Sequence, residues 1–243
     1  MNSYSISLPA PRREEARFAA LAVNAGFAGS FGSVYCSHVF ANAQTGNIIS
    51  LASEIHSGEW AGVWSRTAAV GLFILGIYLS IRLPYLWFGG DQRRWKRCCL
   101  LIETACFLLQ GLLPFEQLSA ISPAMYLWPV FFASALQYNT FTALHGVPVS
   151  TLFTTNNLRQ MTLHATIWRQ KCRGLTPASQ EEARQERRIT LIYIAVFIAF
   201  FGGILGGVYL TYLMETRLMF LCAAILFVVW LWQRWDDHHE AAD

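Results

Sequence analysis

Two short polar triplets carry the most chemical information in this chain. Thr45-Gly46-Asn47 follows a long apolar run and precedes Ile48. Thr155-Asn156-Asn157 stands 110 positions later (45 to 155), in the same setting, and precedes Leu158. Each triplet opens a segment that is only partly apolar, about 45–57 and about 150–170. A threonine at a helix start can cap free backbone N–H groups. Glycine permits a sharp turn or the close approach of another backbone. Asparagine offers both donors and acceptors. If the two short helices begin inside a membrane, their N-termini present unpaired donors and partial positive charge that can hold a carboxylate or another polar group. The bland alternative is helix capping and interhelical packing with no ligand.

Further polar residues interrupt the apolar runs: Asn24, Ser30, Ser33, His38, Gln44, Gln137, Asn139 and His145. Polar groups in a bilayer face a bundle interior or a wet cavity, or bond to a neighbouring helix. Gln137 and Asn139 fall mid-run and are expected to line a binding site with Thr45, Gly46, Asn47, Thr155, Asn156 and Asn157. Glu103 is the carboxylate placed well inside a full-length run, and with His38 and His145 it is a candidate for proton coupling. Its alternative role is an ion pair with Arg97 or Arg82. Glu54 and His56, on the short first helix, are expected to be solvated. Gly202, Gly203, Gly206 and Gly207 form a small-residue array echoed by Gly71 and Gly76, read as close helix packing, with a sliding or hinge surface as the alternative.

The chain shows no GxSxG, Walker loop, HExxH or close pair of intramembrane carboxylates, so no catalytic residue, enzyme activity or cofactor is expected. Its six cysteines (Cys36, Cys98, Cys99, Cys106, Cys172 and Cys222) form no CxxC pair and no Cys/His cluster with metal-ligand spacing. They read as small hydrophobes, with no metal site.

The elements that must hold these residues follow from composition. The chain has 243 residues, of which 54% are hydrophobic and 14% charged. Soluble domains carry about 25% charged residues. The net charge of +3 is too small to suggest nucleic-acid binding. Apolar runs cover about 18–41, 61–83, 97–113, 121–144, 189–213 and 217–233. Helices are the default for such runs, because in lipid every backbone polar group must be paired internally. Arg12 and Arg13, the first run and Ala41-Asn42-Ala43 resemble a signal peptide with a cleavage site, but the run is too long for a signal core.

Six spans and a cytoplasmic amino terminus place every Lys and Arg on the cytoplasmic side except Arg66 and Arg217. The expected organisation is a cytoplasmic tail (1–17), a first membrane repeat (18–113), a second (114–235) with an exposed cytoplasmic loop at about 169–188, and a cytoplasmic tail (236–243). Gly71, Gly76, Tyr78, Leu79 and Ser80 recur as Gly202, Gly207, Tyr209, Leu210 and Thr211, 131 positions on (71 to 202). With the recurring triplet, this makes two related halves. Three spans per half is odd, so the second half must be inverted, as in many secondary transporters. The expected fold is therefore all-α, with six transmembrane helices in two inverted three-helix repeats plus two short half-helices.

Thr-Gly-Asn opening a segment after a glycine-rich helix (Ala25-Gly26-Phe27-Ala28-Gly29, then Gln44-Thr45-Gly46-Asn47) resembles the YoaK-like family of bacterial membrane proteins (domain of unknown function 1275). Leu136-Gln137-Tyr138-Asn139, Val149-Ser150-Thr151 and Thr155-Asn156-Asn157-Leu158 match its second half, and the likeness covers about residues 16–235. The family often has an acidic residue where this chain has Gly29, and a glycine where it has Asn156. The resemblance implies membrane class and architecture but no substrate. On the repeat, the polar residues and the missing catalytic motifs, the expectation is a small-solute secondary transporter of the bacterial inner membrane. Its partners would be the lipid bilayer and an unidentified small solute, with a homodimer as an open option and no nucleic acid. A non-transporting scaffold or sensor and a membrane-embedded lipid-modifying enzyme are the alternatives.

Overall fold

The structure, a computed structural model, describes residues 12–152, 154–173 and 177–240. Residues 1–11 of the expected amino-terminal tail, 174–176 of the expected loop and 241–243 of the carboxyl-terminal tail lie outside the described residues. Helix α1 covers Arg12–Val34, α2 Gln44–Ser57, α3 Trp60–Phe88, α4 Gln92–Leu112, α5 Phe115–Ile121, α6 Pro123–Tyr126 and α7 Trp128–Thr140. A two-stranded ribbon follows, β1 Ala143–Leu144 against β2 Val147–Pro148, antiparallel. Helices α8 Thr154–Lys171, α9 Pro177–Met214 and α10 Leu218–Glu240 complete the chain, with a 3-10 turn at Glu215–Arg217 between the last two. Among the described residues the fold is all-α apart from that ribbon.

Helix directions can be read from side-chain contacts. Gly26 of α1 lies against Phe200 and Ile204 of α9, and Ser30 against Gly207, so α1 and α9 run parallel. Arg13 pairs with Asp236 at 3.1 Å while Val23 lies in a groove with Leu221 and Ile225, so α1 and α10 run antiparallel. The chain therefore reverses at Glu215, whose φ is 51°. Helices α3 and α7 run parallel: the Trp128 indole donates to the Ser65 carbonyl at 3.1 Å, and Asn139 donates to Ser80 Oγ at 2.9 Å. Helix α4 runs antiparallel to α6 and α7, with Tyr126 at the end of α6 donating to the Gln110 carbonyl and Trp95 to Thr140 Oγ1 at the end of α7. Arg97–Asp237 and Gly111 against Phe220 make α4 and α10 antiparallel. Phe18 meets Phe141, just after α7, and Phe31 meets Tyr126, just before it, so α1 and α7 also oppose one another. Phe31, Leu127, Phe131, Leu136 and Leu226 belong to one core, which α1, α4, α7 and α10 surround.

The outside of the bundle is greasy. Ile74, Leu112, Ile198, Leu205 and Phe227 are exposed, as are Trp60, Trp64, Tyr209 and Tyr212 near one end and Tyr85, Trp87, Trp232 and Trp235 near the other. An apolar girdle between aromatic belts is the surface that lipid requires. Among the described residues, two helical stretches are long and apolar enough to cross a membrane, Trp60–Phe88 and Ala178–Asp237, and α4 with α5 makes a third if counted through its 90° bend.

Three sequence expectations change. The run 121–144 is not one helix. Pro123 and Pro129 each start a new helix at its first turn, where a missing N–H costs nothing. The run 18–41 ends as helix at Val34, and Ser37 and His38 (φ 51° and 61°) turn the chain back. The stretch 169–188 is mostly helix rather than an open loop. Helix α8 continues to Lys171 and α9 begins at Pro177, tied by Lys171–Glu182, by His164–Glu186 at 2.6 Å, and by Arg187 over the Trp168 ring. Asp91 caps α4 by accepting from the Arg93 and Arg94 amides. The Arg94 amide and the nearby Arg94 and Arg97 charges hold its carboxyl below the usual range.

Candidate functional site

Each half-helix starts from a loop that its asparagine holds shut. Asn47 Nδ2 donates to the Phe40 carbonyl at 2.9 Å, and its Oδ1 accepts from the Phe40 amide at 3.4 Å. Asn157 Nδ2 donates to the Ser150 carbonyl at 2.6 Å, and its Oδ1 accepts from the Ser150 amide at 3.2 Å. In both, the partner stands seven residues upstream. An amide side chain matches a peptide group donor for acceptor, which is why asparagine serves here. Both are buried, at 0% and 2% exposure. Gly46 has a local reason too: a Cβ there would stand 2.6 Å from the Phe40 ring.

The two loops meet at a cavity of about 310 Å³. Phe40, Asn42 and Ala43 come from the α2 side, Leu152, Thr154 and Thr155 from the α8 side. Helix α1 adds Gly29, Ser30, Ser33 and Val34, and α9 adds Phe200, Ile204 and Val208. Phe200 and Ile204 lie midway along the apolar run 189–213, so the cavity sits near the middle of the apolar part of α9. The start of α2 has no side-chain cap, and its first N–H groups, like those of α8, have no intrahelical acceptor. Among the described lining residues none is Asp, Glu, Lys, Arg or His. Ser30 Oγ is satisfied by the Gly26 and Ile204 carbonyls. Asn42 donates to the Ala25 carbonyl at 3.1 Å, and its Oδ1 stands 3.2 Å from where a side chain on Gly29 would begin. The wall can thus hold hydrogen-bonding groups beside an apolar body.

Of the residues expected to bind solute, Thr155 lines this cavity. Asn47 and Asn157 shape its walls from behind, and Gly46 makes room for Phe40. Thr45 and Asn156 are exposed. Gln137 bonds to Thr151 Oγ1 at 2.8 Å and Asn139 to Ser80, and neither lines the cavity. Asn42, set aside in the sequence as part of an apparent cleavage site, is in the wall instead. Its signal was a lone amide between two alanines at the end of an apolar run.

The candidate coupling groups scatter. His38 is exposed on its turn. His145 is 5% exposed and sits between Glu14 and Glu15, 3.0 Å from each. Glu103 is fully buried. It accepts from Cys99 Sγ at 3.1 Å, and its Oε2 has no partner. The expected pairing with Arg97 does not form, because Arg97 bonds Asp237 at the helix end; Arg82 is exposed. Glu54 is not solvated as expected. Arg66, buried in α3, bonds Glu54 at 2.6 Å and reaches Asn47 Oδ1 at 3.4 Å. An arginine in the first two turns of an apolar run was the sequence signal for that pair.

No curated protein and no solved structure matches the chain. The family described as "Protein of unknown function (DUF1275)" matches residues 18–232, which takes in every residue lining the cavity. The chain belongs to that family.

Proposed function

We propose that this protein is a small-solute secondary transporter of the bacterial inner membrane, without enzymatic activity and with both termini cytoplasmic. It crosses the bilayer six times in two inverted three-helix repeats. The observation that carries the reading is the cavity between the starts of α2 and α8, near the middle of the apolar part of α9, the position where inverted-repeat carriers hold their substrates. Helix directions support the inversion. If α1, α3 and α4 correspond to α7, α9 and α10, the parallel α1/α9 pair answers α7/α3, the antiparallel α1/α10 pair answers α7/α4, and corresponding helices point opposite ways. The two asparagine clasps support the same correspondence, as do the pairs that follow them seven residues later, Glu54–Arg66 and His164–Glu186.

The wall without ionisable side chains favours an uncharged solute, since an ion would enter the bilayer centre unneutralised. The test is flux of uncharged amides and polyols into proteoliposomes holding the full chain. At least one solute is expected to move, with its flux falling about tenfold or more in Asn42→Leu and unchanged in His56→Ala, an exposed position; tenfold matches about 1.4 kcal/mol for the lost amide contact. If no solute moves through correctly inserted protein, the scaffold or sensor reading replaces this one. One observation already favours that second reading: Gln137 is buried and bonded to Thr151, and Asn139 is bonded to Ser80, with neither lining the cavity.

A further inference from the structure

A second feature lies on the outer face, away from the cavity. Helices α1 and α10 leave between them an apolar groove of about 440 Å³, lined among others by Ala20, Val23, Leu221, Ile225, Val228 and Trp232. At its α1-start end the groove meets charge. Arg13 stands two turns before Ala20 on the same helix face. Its guanidinium carbon lies 3.7 Å from the centroid of the Trp235 ring, one turn beyond Trp232. Arg13 and Arg17 both bond Asp236, so two cations meet one carboxylate. The neighbouring carboxylates Glu14 and Glu15 are engaged by His145. Arg17 is covered, whereas the Arg13 side chain is 49% exposed and carries more N–H donors than Asp236 uses.

We propose that this groove binds an anionic phospholipid, with an acyl chain along α1 and α10 and the phosphate on Arg13. The parts are in the order a lipid needs. The groove is apolar along its length, Trp232 and Trp235 mark the depth where ring edges meet headgroups, and the guanidinium stands just beyond them. A basic site at that depth selects anionic headgroups, and guanidinium binds phosphate by paired, charge-assisted hydrogen bonds. The site is independent of what the central cavity carries.

The experiment uses the full chain in detergent and compares phosphatidylglycerol with phosphatidylcholine of identical acyl chains, counted by native mass spectrometry. Both lipids carry the phosphate, but choline's fixed cation opposes the guanidinium, so phosphatidylglycerol is expected to bind about fivefold tighter, the size of one basic residue's attraction to an anionic headgroup. Arg13→Gln is expected to abolish the difference and Arg13→Lys to keep part of it. Each variant is compared with itself across two lipids, so a change in its stability cancels. Ala224→Phe, at an exposed groove position, is expected to weaken both lipids alike. Equal binding of the two lipids overturns the proposal, as does a preference that survives Arg13→Gln. Full competition by sn-glycerol 3-phosphate would mean a phosphate site without a lipid. A dimer broken by Ala224→Phe would mean that a second copy fills the groove. Either result also overturns it.

Discussion

Gly202 and Gly203 are neighbours in one glycine array, yet the same substitution should affect them oppositely. Gly203 is buried against α1. A Cβ there would press on the Val23 carbonyl oxygen and stand 2.8 Å from Val23 Cα and 3.0 Å from its carbonyl carbon. Carbon atoms in good contact sit about 3.5–4.0 Å apart. The two helices would have to separate by about 1 Å, and the obstacle is main chain, which cannot rotate aside. Gly26 on the facing helix, where a Cβ would lie 2.6 Å from the Phe200 carbonyl and the Ile204 amide, leaves no slack on the other side. Overpacking of this kind costs about 1–3 kcal/mol, and the backbone obstacle puts Gly203→Ala at the upper end. A Cβ on Gly202 meets nothing within 4 Å. Gly202→Ala should therefore gain the helix-propensity difference, about 0.5–1 kcal/mol. Adjacent alanines would thus differ by about 3 kcal/mol. Equilibrium unfolding in one micelle composition, followed by tryptophan fluorescence, reads that difference directly. Equal midpoints for the two variants would refute the idea that α1 and α9 are in backbone contact. The cavity would then lose two of its walls.

Two further outcomes follow from the clasps. Asn47→Ala and Asn157→Ala each remove a donor and an acceptor from a buried peptide group. Each should cost about 2–3 kcal/mol in the same unfolding assay, and a loss below 0.5 kcal/mol, the lower bound for one net hydrogen bond, would contradict the structural role. Glu54→Leu alone should cost about 3–5 kcal/mol by leaving the Arg66 guanidinium buried and unpaired, while Glu54→Leu with Arg66→Met should recover most of it. A double-mutant cycle checks this, and strictly additive losses would contradict it.

The sequence by itself determined the helical backbone and the apolar runs long enough to cross a membrane. In lipid, such non-alternating runs satisfy their peptide groups as helices. It also located both half-helix starts, because Thr-Gly-Asn and Thr-Asn-Asn stand in the same setting 110 positions apart (45 to 155). The glycine array was legible as close packing only in part: Gly203 and Gly207 meet α1 and Gly76 meets α7, whereas Gly202 and Gly71 face open space.

What each polar side chain faces was not local. Asn47 and Asn157 read either as ligands or as capping and packing groups, and in the fold each clasps its own loop, since a chain reversal at Ser37 and His38, and another at His145 and Gly146, brings a peptide group back to each amide. Gln137 found Thr151, Asn139 found Ser80, and Glu54 found Arg66, each through helix packing that spacing along the chain does not encode. The cavity itself exists only where four separate segments meet. Its most telling wall residue, Asn42, has no motif around it, because a lone amide becomes part of a site only when the tertiary fold closes apolar surface around it.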